Sequence, residues 1–491
     1  LVVAGAFVLY AFSTGYSLTR VVYTLFYTLE GVIGTPIGVC STFIVLFIIL
    51  GAFLEKTNIG SFFIDLANSI AGRATGGPAK VAVIASAMEG MYSGSSVANT
   101  VGSGSVTIPI MKKTGYDKDF AAAVEAAAST GGQIMPPIMG AAAFLMAEMT
   151  ELPYATIALA AVFPAILYFS GIFLAVHFEA KKLGLKGLPK ESIPNFFKLL
   201  LSRGYLLIPI LVLIFTMSYG FTPSRAACLA ILAAIIVSSF RKETRLSPSA
   251  FVDALETGAR NTIGVAAACA IAGIIVGIVA LTGIGLRLAD MLLMLSGGID
   301  ILALILTMIA CIILGMGVPT TANYVIMATI TAPIILKLIP GTPVLAAHMF
   351  VFYFGIVADI TPPVALAAYA GAAISGGNPI RTGVIATRLA IAAFIIPYIF
   401  VLNPTMLLIN ASFGELVQIV ITSMIGMFAI SSGLGGFMRK TMPWWQRILA
   451  VAAGVALIDP GLVTDLIGLV VIGLICVLQF ASRDKTTPAV G

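Results

Sequence analysis

Hydrophobic positions in this chain run on without interruption, where a soluble helix or strand would show a period. Residues 35–54, 154–177, 261–281 and 382–402 are almost wholly apolar. Each is about as long as the roughly 20 residues a helix needs to cross a bilayer. No segment sustains the apolar/polar alternation of a membrane β-strand, so helices are predicted and a barrel is not. Shorter apolar stretches at 206–217 and 225–240 predict two connecting helices, and 413–437 and 449–480 predict further membrane segments at the C-terminal end. The predicted fold class is an all-α polytopic membrane protein.

Comparing the chain with itself adds a second level of order. Thr57-Asn58-Ile59-Gly60 opens an amphipathic stretch, and Thr282-Gly283-Ile284-Gly285 opens another 225 residues later. Ser95-Ser96-Val97-Ala98-Asn99 matches Pro319-Thr320-Thr321-Ala322-Asn323 at an offset of 224, with Pro109 and Pro333 each ten residues beyond the Asn. Gly131-Gly132-Gln133-Ile134-Met135-Pro136-Pro137 matches Val357-Ala358-Asp359-Ile360-Thr361-Pro362-Pro363 at an offset of 226. Near-constant spacing predicts two repeats. Residues 34–203 form the first, with a hairpin at 80–111; residues 246–402 form the second, with a hairpin at 300–335. Helices at 204–245 connect them, 1–33 precede them as N-terminal membrane segments, and 403–491 follow as a C-terminal extension.

Charge sets the expected orientation. Lys112 and Lys113, the basic residues from Lys181 to Arg203, and Arg241-Lys242 with Arg245 belong on the cytoplasmic side by the positive-inside rule. The second-repeat counterpart of the Lys112 loop, residues 337–343, carries a single charge. The first-repeat counterpart of the turn at 378–381 is 150–154, which has no basic residue. The two repeats are therefore expected to lie upside down relative to one another.

Within each repeat, polar residues interrupt apolar sequence. Ser93-Gly94-Ser95-Ser96 leads to Asn99, and Gly315-Met316-Gly317-Val318-Pro319-Thr320-Thr321 leads to Asn323. A continuous helix has no need of those glycines, and Pro319 removes a helix hydrogen bond. Residues 81–93 and 97–111 are each too short to span, so each interruption predicts a re-entrant hairpin with its tip near the midplane. Unwound backbone at that depth is tolerated only where it lines a protein or water cavity. Carbonyls freed at one half-helix suit a cation, N–H groups freed at the next suit a carboxylate, and Ser, Thr and Asn add hard oxygen ligands. The pairs Pro136-Pro137 and Pro362-Pro363 predict two more broken helices nearby. Asp359, a membrane carboxylate beside the second pair, is expected in or beside an ion site. For Glu89 and Glu125 a structural bond and a transport role remain equally open. Taken singly, a Ser/Gly run is explained as well by close helix packing; the matched pair favours binding sites.

Composition excludes several classes. Hydrophobic residues make up 59% of the chain, charged residues 10%, and the mean hydropathy is +1.08; a soluble domain carries roughly a quarter charged residues. The net charge of +6 resides in short loops and does not suggest nucleic acid. The five cysteines stand singly in apolar sequence, without metal spacing. His177 and His348 are isolated and expected to be structural. Trp444-Trp445, flanked by Arg439-Lys440 and Arg447, is expected at a membrane interface. There is no G-x-x-x-x-G-K-[ST], H-E-x-x-H or G-x-S-x-G run, so neither ATP use nor an enzyme is expected, and too few charges exist to line a channel. The chain begins at Leu1 in apolar sequence, so an upstream segment is expected.

The runs SGSSVANTVGSGSVTIPIMKKTGY, EAAASTGGQIMPPIMGAAAFLMAE, GMGVPTTANYV and GIVADITPPVALAAYAGA resemble the large membrane subunit of tripartite ATP-independent periplasmic (TRAP) transporters. They look most like the branch with fused membrane subunits and a TAXI-type binding protein, over about residues 35–402. The resemblance implies an elevator-type, Na+-coupled importer of an organic anion in a bacterial or archaeal inner membrane, with no other cofactor. It implies two partners, a periplasmic substrate-binding protein and a small four-helix membrane subunit, either fused upstream or separate. By matching motif, the first Na+ site would use Ser95, Ser96, Asn99 and backbone near Gly132. The second would use Thr320, Thr321, Asn323 and backbone near Ala358 and Asp359. Substrate would lie near Gln133, Pro136, Thr361 and Pro362. A Na+/dicarboxylate symporter working without a binding protein is the alternative. The C-terminal extension has no counterpart in the repeats.

Overall fold

The computed structural model describes residues 1–241, 244–459 and 461–481; Lys242, one of the expected cytoplasmic cations, lies outside them. Apart from one isolated bridge between Phe437 and Thr441, the described residues form helices and their connections. Among them, eight helices are long and apolar enough to cross a membrane by length and composition. The chain is an all-helical, multi-span membrane protein.

The longest helix, Pro248–Thr282, shows how sequence sets a boundary. Ser247 caps it, its Oγ accepting from the Ala250 N–H at 3.1 Å, which satisfies one of the orphan donors of a helix start. Asp253, Glu256 and Arg260 occupy its first turns, with Arg260 paired to Glu256 at 2.7 Å. Only beyond them does the apolar run begin. Its 35 residues extend about 52 Å, well past a hydrocarbon core of about 30 Å. The charged turns account for the excess. Two short helices, Val2–Ser13 and Leu18–Tyr27, pack along this helix, and Tyr16 donates its hydroxyl to the Leu281 carbonyl at 2.7 Å.

Two short helices form the centre. Lys118–Gly132 buries 13 of its 15 residues and Val344–Val357 buries 13 of its 14, so each is enclosed on every side. Lys118–Gly132 is built from alanine and glycine, which lets neighbouring backbones approach closely. Gly77–Ser93, Leu366–Ser375 and Pro379–Leu389 all pack against it. A methyl group on Gly90 would stand 2.1 Å from the Gly132 Cα, so these two backbones touch. Val344–Val357 is instead rich in aromatic residues. It packs against Asp300–Gly315, Thr320–Ile330 and Ala392–Leu402, and Phe350 and Phe354 set their edges against Tyr398.

Hydrogen bonds tie several loops together at one end of the molecule. Lys112 and Lys118 donate to the carbonyls of Ser375 and Gly376. Asp119, almost fully buried, accepts from the Asn378 N–H at 2.7 Å and pairs with Arg381 at 3.3 Å. Tyr116 reaches the Gly76 carbonyl, and the Leu188 N–H bonds to Gly72.

Two predicted segments differ in detail. The stretch expected at 449–480 is two helices, Trp444–Ile458 and Leu462–Ala481, separated by Asp459-Pro460-Gly461, a turn-forming sequence. The stretch expected from 382 begins at Pro379 and is interrupted after Leu389. The C-terminal helices pack through small residues: a Gly454 methyl would meet the Gly426 carbonyl at 2.6 Å. Phe413–Gly435 docks on Tyr154–Lys182, where Ser431 donates to the Gly171 carbonyl at 3.1 Å. The extension thus braces the outer side of that long helix.

The Gly90–Gly132 approach yields a stability prediction. Gly90→Ala should destabilise the purified protein by about 1–3 kcal/mol, as overpacking does. Scanning fluorimetry in detergent should show a lower unfolding temperature; an unchanged one would mean that the two backbones have slack.

Candidate functional site

Four interruptions of helix build the interior site. The first separates Gly77–Ser93 from Ser96–Gly102: Gly94 adopts φ +63, open to glycine at little cost, and Ser95 is extended. Ser95 Oγ then accepts from the Ala98 N–H at 3.3 Å. The second separates Asp300–Gly315 from Thr320–Ile330, with Gly317 at φ +71 and Pro319 starting the new helix. The third and fourth follow Lys118–Gly132 and Val344–Val357, and both contain a cis Pro–Pro bond, at Pro136-Pro137 and Pro362-Pro363. They close alike: the Gly140 N–H returns to the Gln133 carbonyl at 2.8 Å, and the Ala367 N–H to the Asp359 carbonyl at 2.9 Å.

The two asparagines fasten the first two breaks, Asn99 to the preceding arm and Asn323 to a central helix. Asn99 Nδ2 donates to the Ser86 carbonyl at 3.0 Å, and Asn323 Nδ2 to the Gly355 carbonyl at 2.9 Å. A methyl on Gly132 would lie 3.2 Å from Asn99 Nδ2, and one on Gly355 would lie 3.5 Å from Asn323 Nδ2. The Oδ1 atom of Asn323 is buried and, among the described residues, has no hydrogen-bond partner. It is an oxygen available to a cation.

A cavity of about 560 Å³ lies between the first two breaks. Ser95, Ser96, Thr320, Thr321 and Asp359 all line it. Asn99, Gly132, Asn323, Ala358 and Gln133 do not line it; Gln133 is buried and donates to Asp359 Oδ2 at 3.3 Å. Pro136, Thr361 and Pro362 are half-buried and do not line the cavity. Ser96 Oγ donates to the same Asp359 Oδ2 at 2.6 Å. Candidate residues far apart in the sequence are therefore in direct contact.

Other groups here were not legible as site residues. Glu55 and Asn261 line the cavity with Glu89; Glu55, next to Lys56 at the end of an apolar run, has the look of an interfacial charge. The lining holds three carboxylates and no Lys, Arg or His. Glu125 lies apart, fully buried. It accepts from Ser86 Oγ at 2.5 Å, Ser103 Oγ at 2.5 Å and the Thr107 hydroxyl, with Ser129 at 3.5 Å. Three of these donors lie on the two arms of the first broken helix pair, so Glu125 staples both arms to the central helix. His348 accepts or donates at 2.7 Å with the Tyr324 hydroxyl, and His177 lies 3.0 Å from Lys80.

An apolar helical bundle whose interrupted helices converge on an interior cavity is the architecture of a solute permease. The family profile of the DctM component of tripartite ATP-independent periplasmic transporters matches residues 1–414, and the chain belongs to that family. It is a large permease subunit of a TRAP transporter, not an enzyme, and a multi-pass protein of the bacterial inner membrane. Among its relatives is the sialic acid TRAP transporter large permease protein SiaM of Vibrio cholerae. That protein is 26% identical over 325 residues, 66% of this chain and 74% of the relative. The C4-dicarboxylate large permease protein DctM of Pseudomonas aeruginosa is 29% identical over 203 residues, 41% of this chain and 47% of the relative. The isethionate permease protein DctMQ of Oleidesulfovibrio alaskensis is 26% identical over 334 residues, 68% of this chain and 52% of the relative. This chain thus covers about half the length of the last two. The family match ends where the C-terminal helices begin.

The hydroxyl cage makes a prediction. Glu125→Ala removes the acceptor shared by three buried hydroxyls. Ser103 and Thr107 keep the carbonyls of Asn99 and Ser103, so the main loss is the short bond from Ser86, at about 1–3 kcal/mol for an unsatisfied group. The unfolding temperature should fall steeply, and less in Glu125→Gln, which keeps one acceptor oxygen. Equal stability of both variants and the parent would remove the stapling role.

Proposed function

We propose that this chain is the permease of a Na+-coupled TRAP importer for a small organic anion, a carboxylate or an amino acid, handed over by a periplasmic substrate-binding protein. The observation that carries the reading is the convergence of both helix interruptions and Asp359 on one cavity. The relatives' names point to sialic acid, C4-dicarboxylates and isethionate, all small organic acids, which supports that substrate class. A small four-helix subunit completes the complex, fused or separate; the name DctMQ of one relative fits a fused arrangement. The long motifs around Ser96 and Asp359 favour the TAXI branch.

Electrostatics supports ion coupling. A cavity with three carboxylates and no basic lining residue repels an anion, the more so in low dielectric. Cations entering with it would offset that repulsion. The first Na+ site is assigned to Ser95, Ser96, Asn99 and backbone near Gly132. The second takes Thr320, Thr321, Asn323 with its free Oδ1, and backbone near Ala358 and Asp359. Hydroxyl, amide and carbonyl oxygens suit a hard cation. Substrate binds in the cavity between the two tips, with Gln133, Pro136, Thr361 and Pro362 shaping the segments behind it.

Residues 34–203 and 246–402 act as inverted repeats, each with a re-entrant hairpin, at 80–111 and 300–335. The shared end formed by Gly72–Gly76, Lys112–Asp119 and Ser375–Arg381 fits this arrangement, because it gathers basic loops on one side. In the elevator step the hairpins and the proline-broken helices move together against a scaffold that includes the long outer segments at 154–177 and 382–402. The C-terminal extension, docked on the first of these, adds mass to the stationary part.

The test is uptake of candidate organic anions into proteoliposomes holding the complete membrane component, with and without its binding protein, under an inward Na+ gradient. Uptake requiring both is expected. Uptake driven by Na+ without the binding protein would move the chain to the simpler Na+/dicarboxylate symporter class. Asn99→Ala and Asn323→Ala should each raise the Na+ concentration for half-maximal uptake by about tenfold or more, the effect of losing one or two buried hydrogen-bonding groups. Unchanged Na+ activation in both would remove the ion-site assignment.

A further inference from the structure

We propose that the Asp359 side chain is a positioning latch: it holds the tip of the first broken helix pair to the second half of the molecule, through the Ser96 hydroxyl. This rests on the reading of the two tips as ion sites, but its geometric part stands independently. The backbone of Asp359 belongs to the second half, anchored by its carbonyl to the Ala367 N–H and by its own N–H to the Ile356 carbonyl. Both side-chain donors to its carboxylate come from the first half, Ser96 at 2.6 Å and Gln133 at 3.3 Å. Gln133 and Asp359 occupy matching positions in the two proline motifs, 226 residues apart.

A buried carboxylate without partners is strongly unfavourable. Asp359 is only 7% exposed, and no basic side chain pairs with it among the described residues. Its two donors therefore carry the compensation, and the short bond from Ser96 is the stronger. Glu125 is a useful contrast, since its hydroxyl donors all lie within the first half; it can fasten that half but cannot report on the other.

Ser96 has one hydroxyl hydrogen, and it points to Asp359. Its oxygen lone pairs stay open to a cation. A cation on that oxygen polarises the O–H bond and strengthens its hydrogen bond to the carboxylate. Ion occupancy at the first tip is thereby felt at Asp359, whose backbone adjoins the second ion site. The latch links two sites that would otherwise act separately.

The experiment reads the tip directly. Ala98 is exposed and lines the cavity, so Ala98→Cys, in a background with Cys228→Ser and Cys476→Ser, reports tip opening by its rate of maleimide labelling. In Na+-free choline buffer, Asp359→Ala and Ser96→Ala should each speed labelling on the order of tenfold, the loss of a charge-assisted hydrogen bond. The double variant should label no faster than either single one. Asp359→Asn, which keeps an acceptor, should fall between. Buried Cys40 and Cys269 should stay unlabelled throughout, which separates latch opening from general loosening; if Asp359→Ala does not fold, Ser96→Ala and Asp359→Asn carry the comparison. Additive effects, or unchanged labelling in both single variants, would overturn the latch. NaCl should protect the tip in the parent and not in Ser96→Ala or Asp359→Ala, and equal protection in the variants would overturn the link to the ion. Absence of Na+ protection in the parent would instead count against the ion-site reading, while the Na+-free comparison still decides the latch.

Discussion

An apolar surrounding gives an unpaired peptide group nowhere to turn, and the architecture of this permease follows from that constraint. A chain so hydrophobic can remain helical almost everywhere, because helices satisfy their own backbone. At four places it does not. Each break survives because something nearby replaces the lost bonds. Asn323 donates to the Gly355 carbonyl, near the end of Val344–Val357 and the fourth break, and Asn99 ties the helix after the first break to the arm before it through the Ser86 carbonyl. Gln133 and Asp359 accept N–H groups from beyond the proline pairs. Tyr154 donates to the Ile138 carbonyl inside the third break, and Tyr369 to Pro363 inside the fourth. The breaks are thus mutually supporting, and removing one donor exposes backbone that lipid cannot solvate.

The two central helices fill their surroundings in different ways. Lys118–Gly132 has breaks and broken helices pressed against it, and only alanine and glycine leave room for them. Tyr168 reaches across to the Ala127 carbonyl at 2.7 Å, its ring filling the space that the absent Gly131 side chain leaves. Val344–Val357 also meets a broken pair, Asp300–Gly315 and Thr320–Ile330, but there large aromatic residues fill the interface.

These relations explain which features could be read before the structure. The breaks at 93–96, 133–137, 315–319 and 359–363 were legible because glycine and proline act on their own backbone. The expected boundaries of the amphipathic helices, Ile59–Ala71 and Ile284–Ser296, were legible for the same reason. The π-helical turn at Cys40–Ile44, which brings Ile44 to the cavity, carried no such signal. Nor could the cage around Glu125 be found, since its donors lie 18 to 39 residues away and serine is common in membrane helices for packing alone. Glu55 went unnoticed because a charge at the end of an apolar run ordinarily marks the interface.

The contact between Ser96 and Asp359 spans 263 residues and brings a first-half tip to a second-half carboxylate. A repeat can be detected by comparing its copies, but the way the copies meet cannot, because nothing in either copy records the other's position. Gln133 and Asp359, at matching positions of the two proline motifs, touch directly. There a change in one copy necessarily alters the surroundings of the other. In this chain the pair has become unequal, an amide facing a carboxylate. The bond between them is therefore directional, with the first half donating and the second accepting. Under the proposed ion sites, halves joined in this way need not respond alike to the same ion.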